Sequence, residues 1–138
     1  MQADIGLSIF PNASDKAPEP LIDIVRETYE SFCSTFETIK PIVFLDPMPN
    51  ASVYAEYYEL LVREFGDVRM SRSLADSHYL SITAHKSSFI FHLEHDWKFV
   101  PENINHSLDE ITQVMREWMI PHLRFNKRSN IAKRKDRT

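Results

Sequence analysis

The chain has 138 residues, one domain's worth, and its hydrophobic content of 43% and aromatic content of 12% suit a single folded core. A lone cysteine, Cys33, excludes an internal disulfide framework, and two glycines exclude both the Gly-x-Gly-x-x-Gly dinucleotide turn and the P-loop. The net charge of −4 divides unevenly, with 9 basic and 19 acidic residues over 1–123, then 7 basic and one acidic over 124–138.

An acidic body argues against nucleic acid as the main ligand, because phosphate contacts need a basic face. Met1-Gln2-Ala3-Asp4 lacks the basic start and apolar region of a signal peptide, and no apolar run reaches the length of a membrane span. The expectation is a soluble, cytoplasmic protein with a solvated basic tail.

In chain order, Asp4–Phe10 reads as a first strand, ended by Pro11-Asn12, with a polar loop from Asn12 to Pro20. Leu21, Ile24, Val25, Tyr29, Phe32 and Phe36 recur at helical spacing and predict an amphipathic helix. Cys33 falls on that apolar stripe and reads as core. Pro41–Leu45 predicts a second strand, closed by Asp46-Pro47-Met48-Pro49. Asn50 caps a second helix carrying Val53, Tyr54, Tyr57, Leu60, Leu61 and Phe65, and Gly66 stops it.

Val68-Arg69-Met70 predicts a brief third strand, and Asp76 or Ser77 a cap for a short helix through Lys86. Residues 88–93 form the next strand. Ser107-Leu108-Asp109-Glu110 fits a capping box, opening a helix with an apolar stripe of Leu108, Ile111, Val114, Met115, Trp118 and Met119 that ends at Pro121. His122–Asn126 alternates as a further strand would. Strands alternating with helices predict a parallel α/β sheet.

Chemistry concentrates at Phe89-Ile90-Phe91-His92-Leu93-Glu94-His95-Asp96-Trp97, where an apolar strand runs into two carboxylates and an indole. Parallel sheets hold ligands outside the carboxyl ends of their strands, and carboxylates at i, i+2 suit a hard divalent cation shared with a phosphate. Without glycine loops, a metal-bridged diphosphate is the natural way for this chain to hold a nucleotide. His92 and His95 are poor zinc partners, since three residues apart on a strand they point to opposite faces. Arg69 and Arg72 lie where they could reach a diphosphate or remain solvated.

The strand followed by Leu93-Glu94-His95-Asp96-Trp97 resembles the Leu-Glu-Asp-Asp-Trp variant of the Asp-x-Asp motif in family-2-like nucleotide-sugar glycosyltransferases of the GT-A fold. His95 stands where that variant has its middle acid. Ile5–Asn12 is similar to the family's first strand and its exit beside the nucleotide, and Val43–Asp46 to the second strand with its terminal acid. Asp76–Lys86 resembles the short helix that buttresses the donor pocket, and Phe125–Asn130 a segment that follows the motif.

The resemblance implies an α/β, Rossmann-like GT-A nucleotide-diphospho-sugar transferase fold, with a mostly parallel sheet and flanking helices. One donor-binding domain would span 1–130, followed by a disordered basic tail at 131–138. It implies donor contacts at Pro11, Asn12, Asp46, Asp76 and Glu94, with Mg2+ or Mn2+ held by Asp96 and Glu94. The activity implied is metal-assisted transfer from a nucleotide-diphosphate sugar to an acceptor hydroxyl on a glycan, lipid or protein. The acceptor half, with its carboxylate base, would lie mostly beyond Thr138, and no catalytic base is assignable. The alternatives are a non-catalytic nucleotide- or sugar-binding module and an interaction protein with a docking tail.

Overall fold

The computed structural model describes residues 4–11, 18–95 and 97–125. Four strands make one sheet: β1 (Ile5–Phe10), β2 (Pro41–Leu45), β3 (Val68–Met70) and β4 (Phe89–Glu94). All three pairings are parallel and the order is β3-β2-β1-β4. The connecting helices are α1 (Pro18–Thr35), α2 (Ala51–Phe65) and α3 (Leu74–Ala84). A 3-10 turn at Pro101–Asn103 and α4 (Leu108–Glu117) follow β4. The predicted α/β class with a parallel sheet is therefore present.

Strand alternation divides the sheet into two unlike faces. Leu7, Ile9, Val43, Leu45 and Leu93 turn one way, into a core completed by Ile22, Val25 and Phe32 of α1 and Tyr57, Leu61 and Phe65 of α2. Phe99 and Leu108 close its β4 side. Cys33 packs partly buried against this core, as its place on the stripe predicts. The other face is more polar. There Ser81 and His78 of α3, with the following His85, lie against Ser8, Phe10 and Phe44.

Local chemistry sets the helix ends. The Asn50 side chain accepts from the amides of Ser52 (3.0 Å) and Val53 (3.2 Å). Gly66 ends α2 at φ 86°, where its lack of a Cβ removes the strain, and its amide donates to the Val62 carbonyl. The predicted capping box at Ser107 is formed in both directions, Ser107 to the Glu110 amide and Glu110 to the Ser107 amide, each at 3.1 Å.

Several boundaries differ from the sequence reading. Helix α1 starts at Pro18, inside the stretch read as a loop to Pro20, because a first-turn proline gives up no helical hydrogen bond. Helix α3 is capped by Ser73, whose hydroxyl accepts from the Asp76 amide (3.1 Å), and it ends at Ala84, short of Lys86. Asp76 and Ser77 are thus inside the first turns. Strand β4 is shifted by one residue from the expected 88–93, to Phe89–Glu94, because Glu94 completes the pairing with Phe10. Residues 121–125 form no strand, and Asn126 lies outside the described residues. The stripe on α4 is only partly covered: Leu108 is buried, while Val114, Trp118 and Met119 are exposed. The helix proper stops at Glu117, with Met119 at φ 52°. Among the described residues no helix is long and apolar enough to cross a membrane.

Candidate functional site

The chain leaves β1 through α1 to β2 on one side, and returns from β3 through α3 to β4 on the other side of β1. The connections therefore diverge between β1 and β4, and the carboxyl ends of those two strands are the place where open parallel sheets form their ligand crevice. Pairing of Phe10 with Glu94 is the last register position there. Pro11 follows Phe10 and is buried, whereas Glu94 reaches solvent. The Glu94 carboxylate accepts a hydrogen bond from the Trp97 indole at 3.2 Å, so the motif's acid and aromatic residue are bound to each other.

Of the residues read from the sequence, Pro11 and Glu94 meet at this crevice. Asp46, at the exit of β2, is half-buried beside α2. Its charge helps hold the Tyr54 hydroxyl above its ordinary pKa, second to the effect of burial. Asp76 is occupied within its own turn, accepting the Arg72 amide at 2.9 Å. Its role there is to stiffen the start of α3. The Arg69 guanidinium pairs with Asp67 at 3.2 Å, turned toward the amino end of β3 and away from the crevice. Asn12 and Asp96 lie outside the described residues, as does the basic tail at 131–138.

For a divalent cation, Glu94 supplies one hard oxygen donor at the strand ends. Among the described residues no group of three or more His, Cys, Asp or Glu could hold a metal ion. Those residues alone do not form a metal site.

The α3 side of the crevice carries a stack of rings that joins His92, weighed in the sequence only as a zinc ligand, to Phe10 and His78. Phe10 stacks on His92 (centroids 4.1 Å apart, planes 19° apart) and on His78 (4.8 Å, 17°), and the two imidazoles stack on each other at 4.9 Å. Desolvation lowers the His92 pKa, although the side chain keeps an exposed edge. His78 adds to the effect and Glu94 opposes it. A period-two signal was present, since His92 and Glu94 share a parity on β4. His78 needed the tertiary position of α3 to be found.

Beneath that stack Ser8 is fully buried and hydrogen-bonded to Ser81 Oγ and to His85 Nε2, both at 2.7 Å. This resembles a nucleophile and base only in composition, because Ser8 has no access to solvent. Burial, with Arg69 nearby, lowers the His85 pKa, and Asp67 opposes the shift. On the opposite face two α1 hydroxyls grip the chain after β4. Thr28 Oγ1 donates to the His95 carbonyl at 2.6 Å, and Ser31 Oγ accepts from the Phe99 amide at 2.7 Å.

Comparisons with family models, with curated proteins and with solved structures find no match for this chain.

Proposed function

We propose that the chain binds a nucleotide-diphosphate sugar across the carboxyl ends of β1 and β4, as the donor-binding portion of a glycosyltransferase. The observation that supports this most is the reversal of connection between β1 and β4, with Glu94 at the mouth of the crevice. In the transfer, an acceptor hydroxyl oxygen on a glycan, lipid or protein bonds to the anomeric carbon and its proton is released to solvent. The bond from that carbon to the diphosphate breaks, and the nucleoside diphosphate leaves with the electron pair. Mg2+ or Mn2+ at Asp96 with Glu94 would supply charge neutralisation of the diphosphate when bound. The chain's own contribution is to hold the donor beside Pro11 and Glu94, with the ring stack of Phe10, His78 and His92 lining one side.

A non-catalytic nucleotide-binding module is the second reading. It is favoured by the hydrogen bond from the Arg72 amide to Asp76, which keeps that carboxylate within its own turn.

Calorimetry with UDP and GDP, with and without Mn2+, tests the site. Binding of one nucleotide, weakened by Glu94→Ala or Asp96→Ala, is the expected result. Absence of binding by both nucleotides overturns the proposal. Binding with neither sugar transfer nor donor hydrolysis selects the module.

A further inference from the structure

We infer that Thr28 of α1 is a positioning residue for the turn that follows β4, and through that turn for the Glu94 carboxylate at the crevice. The inference rests on the donor-site reading above and deepens it.

Thr28 belongs to the buried face of α1, between Val25 and Phe32, and is itself 3% exposed. A helical threonine ordinarily turns its hydroxyl back to a carbonyl of its own preceding turn, as Thr112 does to Leu108 at 3.0 Å. Thr28 instead donates across the fold to the carbonyl of His95, 67 residues away in sequence, at 2.6 Å. That carbonyl belongs to the residue directly after Glu94.

One helical turn further along α1, Ser31 holds the other side of the turn. Its hydroxyl accepts from the Phe99 amide at 2.7 Å and contacts the Phe99 carbonyl at 3.4 Å. Between these two anchors the Trp97 indole donates to Glu94 at 3.2 Å. The three bonds form a continuous chain of constraint from the α1 backbone to the Glu94 oxygens.

Core filling alone does not account for the two hydroxyls. A helix face made to pack on Leu7, Ile9 and Leu93 is served by apolar side chains, and a buried hydroxyl is tolerated only where its hydrogen bond is made. Here both hydroxyls are matched to backbone groups of the segment after β4, the His95 carbonyl and the Phe99 amide. A loop held at both ends on a rigid helix keeps a functional carboxylate in one place.

The test uses the full chain. Thr28→Val keeps the shape and removes the donor, Thr28→Ser restores the donor, and Ser31→Ala removes the second anchor. The free protein is read through the indole N–H resonance of Trp97. The chain's other tryptophan, Trp118, is 75% exposed and is identified by Trp118→Phe. Thr28→Val is expected to shift or broaden the Trp97 resonance and to weaken the nucleotide that binds, UDP or GDP with Mn2+, about tenfold. Thr28→Ser is expected to keep both near wild type.

Leu61→Val, a mild change in the core away from the turn, controls for lost stability and is expected to leave the affinity unchanged. A wild-type Trp97 resonance and affinity in both Thr28→Val and Ser31→Ala overturn the inference. If the wild-type chain binds neither nucleotide, the donor-site reading falls, and the Trp97 resonance alone still decides whether Thr28 sets the turn.

Discussion

Phe10 and Glu94 are register partners at the carboxyl end of the β1–β4 pair, so an aromatic ring and a carboxylate leave the sheet side by side on one face. In a parallel sheet, register partners share a face, and the alternation of β4 places His92 on that face too. The crevice between the strands is thus lined by rings on its α3 side and entered past an acid. Thr28 and Ser31 hold the following turn from the opposite face of the sheet. The two faces consequently contribute different things: the α3 face supplies the lining, and the α1 face supplies the rigidity.

Gly6 permits this arrangement at the other end of β1. A Cβ there would lie 2.2 Å from His85 Nδ1, 2.5 Å from His85 Cγ and 2.8 Å from Ser87 Oγ. The imidazole cannot simply swing aside, because its Nε2 is bonded to buried Ser8. Gly6→Ala is therefore expected to destabilise the fold by about 1–3 kcal/mol, the usual cost of overpacking. Urea denaturation checks this, and His85→Ala added to Gly6→Ala should recover part of the loss. An unchanged midpoint in Gly6→Ala would show that α3 is free to shift.

His85 also makes stability depend on pH. Burial lowers its pKa below the ordinary 6.5, so between those two values the unfolded chain binds the proton and the folded chain does not. Its contribution is fully present above 6.5 and is lost as pH falls through the lowered value. Denaturation midpoints are expected to drop as pH falls below 6.5, and to drop less in His85→Gln. An identical pH profile in that variant would remove His85 as the cause.

Much of this architecture was legible because it is written locally. Pro41–Leu45 and the Asn50-to-Gly66 helix match the structure, since proline, cap and left-handed glycine act within a few residues. The capping box at Ser107 matches for the same reason. The start of α3 was misplaced because Ser73, Asp76 and Ser77 are all competent caps, and only the path of the chain after β3 selects Ser73. Glu94 was legible as a strand-end acid. The imidazole stack and the Thr28 anchor were not, since each joins residues brought together from separate elements and leaves no spacing to read.

The cap on α2 offers a purely local test. Asn50 is exposed and accepts two of the helix's orphan amides, Ser52 and Val53. Asn50→Ala should destabilise the chain by about 1 kcal/mol, while Asn50→Asp or Asn50→Ser should cost much less. Thermal or urea unfolding of the three variants decides it. Equal losses in all three would mean that something other than the side-chain acceptor is at work there.

Phe10 joins the core to the crevice, and its replacement separates two contributions. Its ring is 6% exposed, stacks on His92 at 4.1 Å and on His78 at 4.8 Å, and lies 5.7 Å from Phe44. Phe10→Leu retains most of the apolar volume but removes the stacked face. The expected loss is about 0.5–1.5 kcal/mol beyond the change in buried area. The same substitution removes the ring stacked on His92, whose pKa is held down chiefly by desolvation, so that pKa should rise toward 6.5. Unfolding measurements read the first effect and an NMR titration of His92 the second. A stability loss with no change in His92 titration would assign the shift to His78 and the rest of the burial rather than to the Phe10 ring.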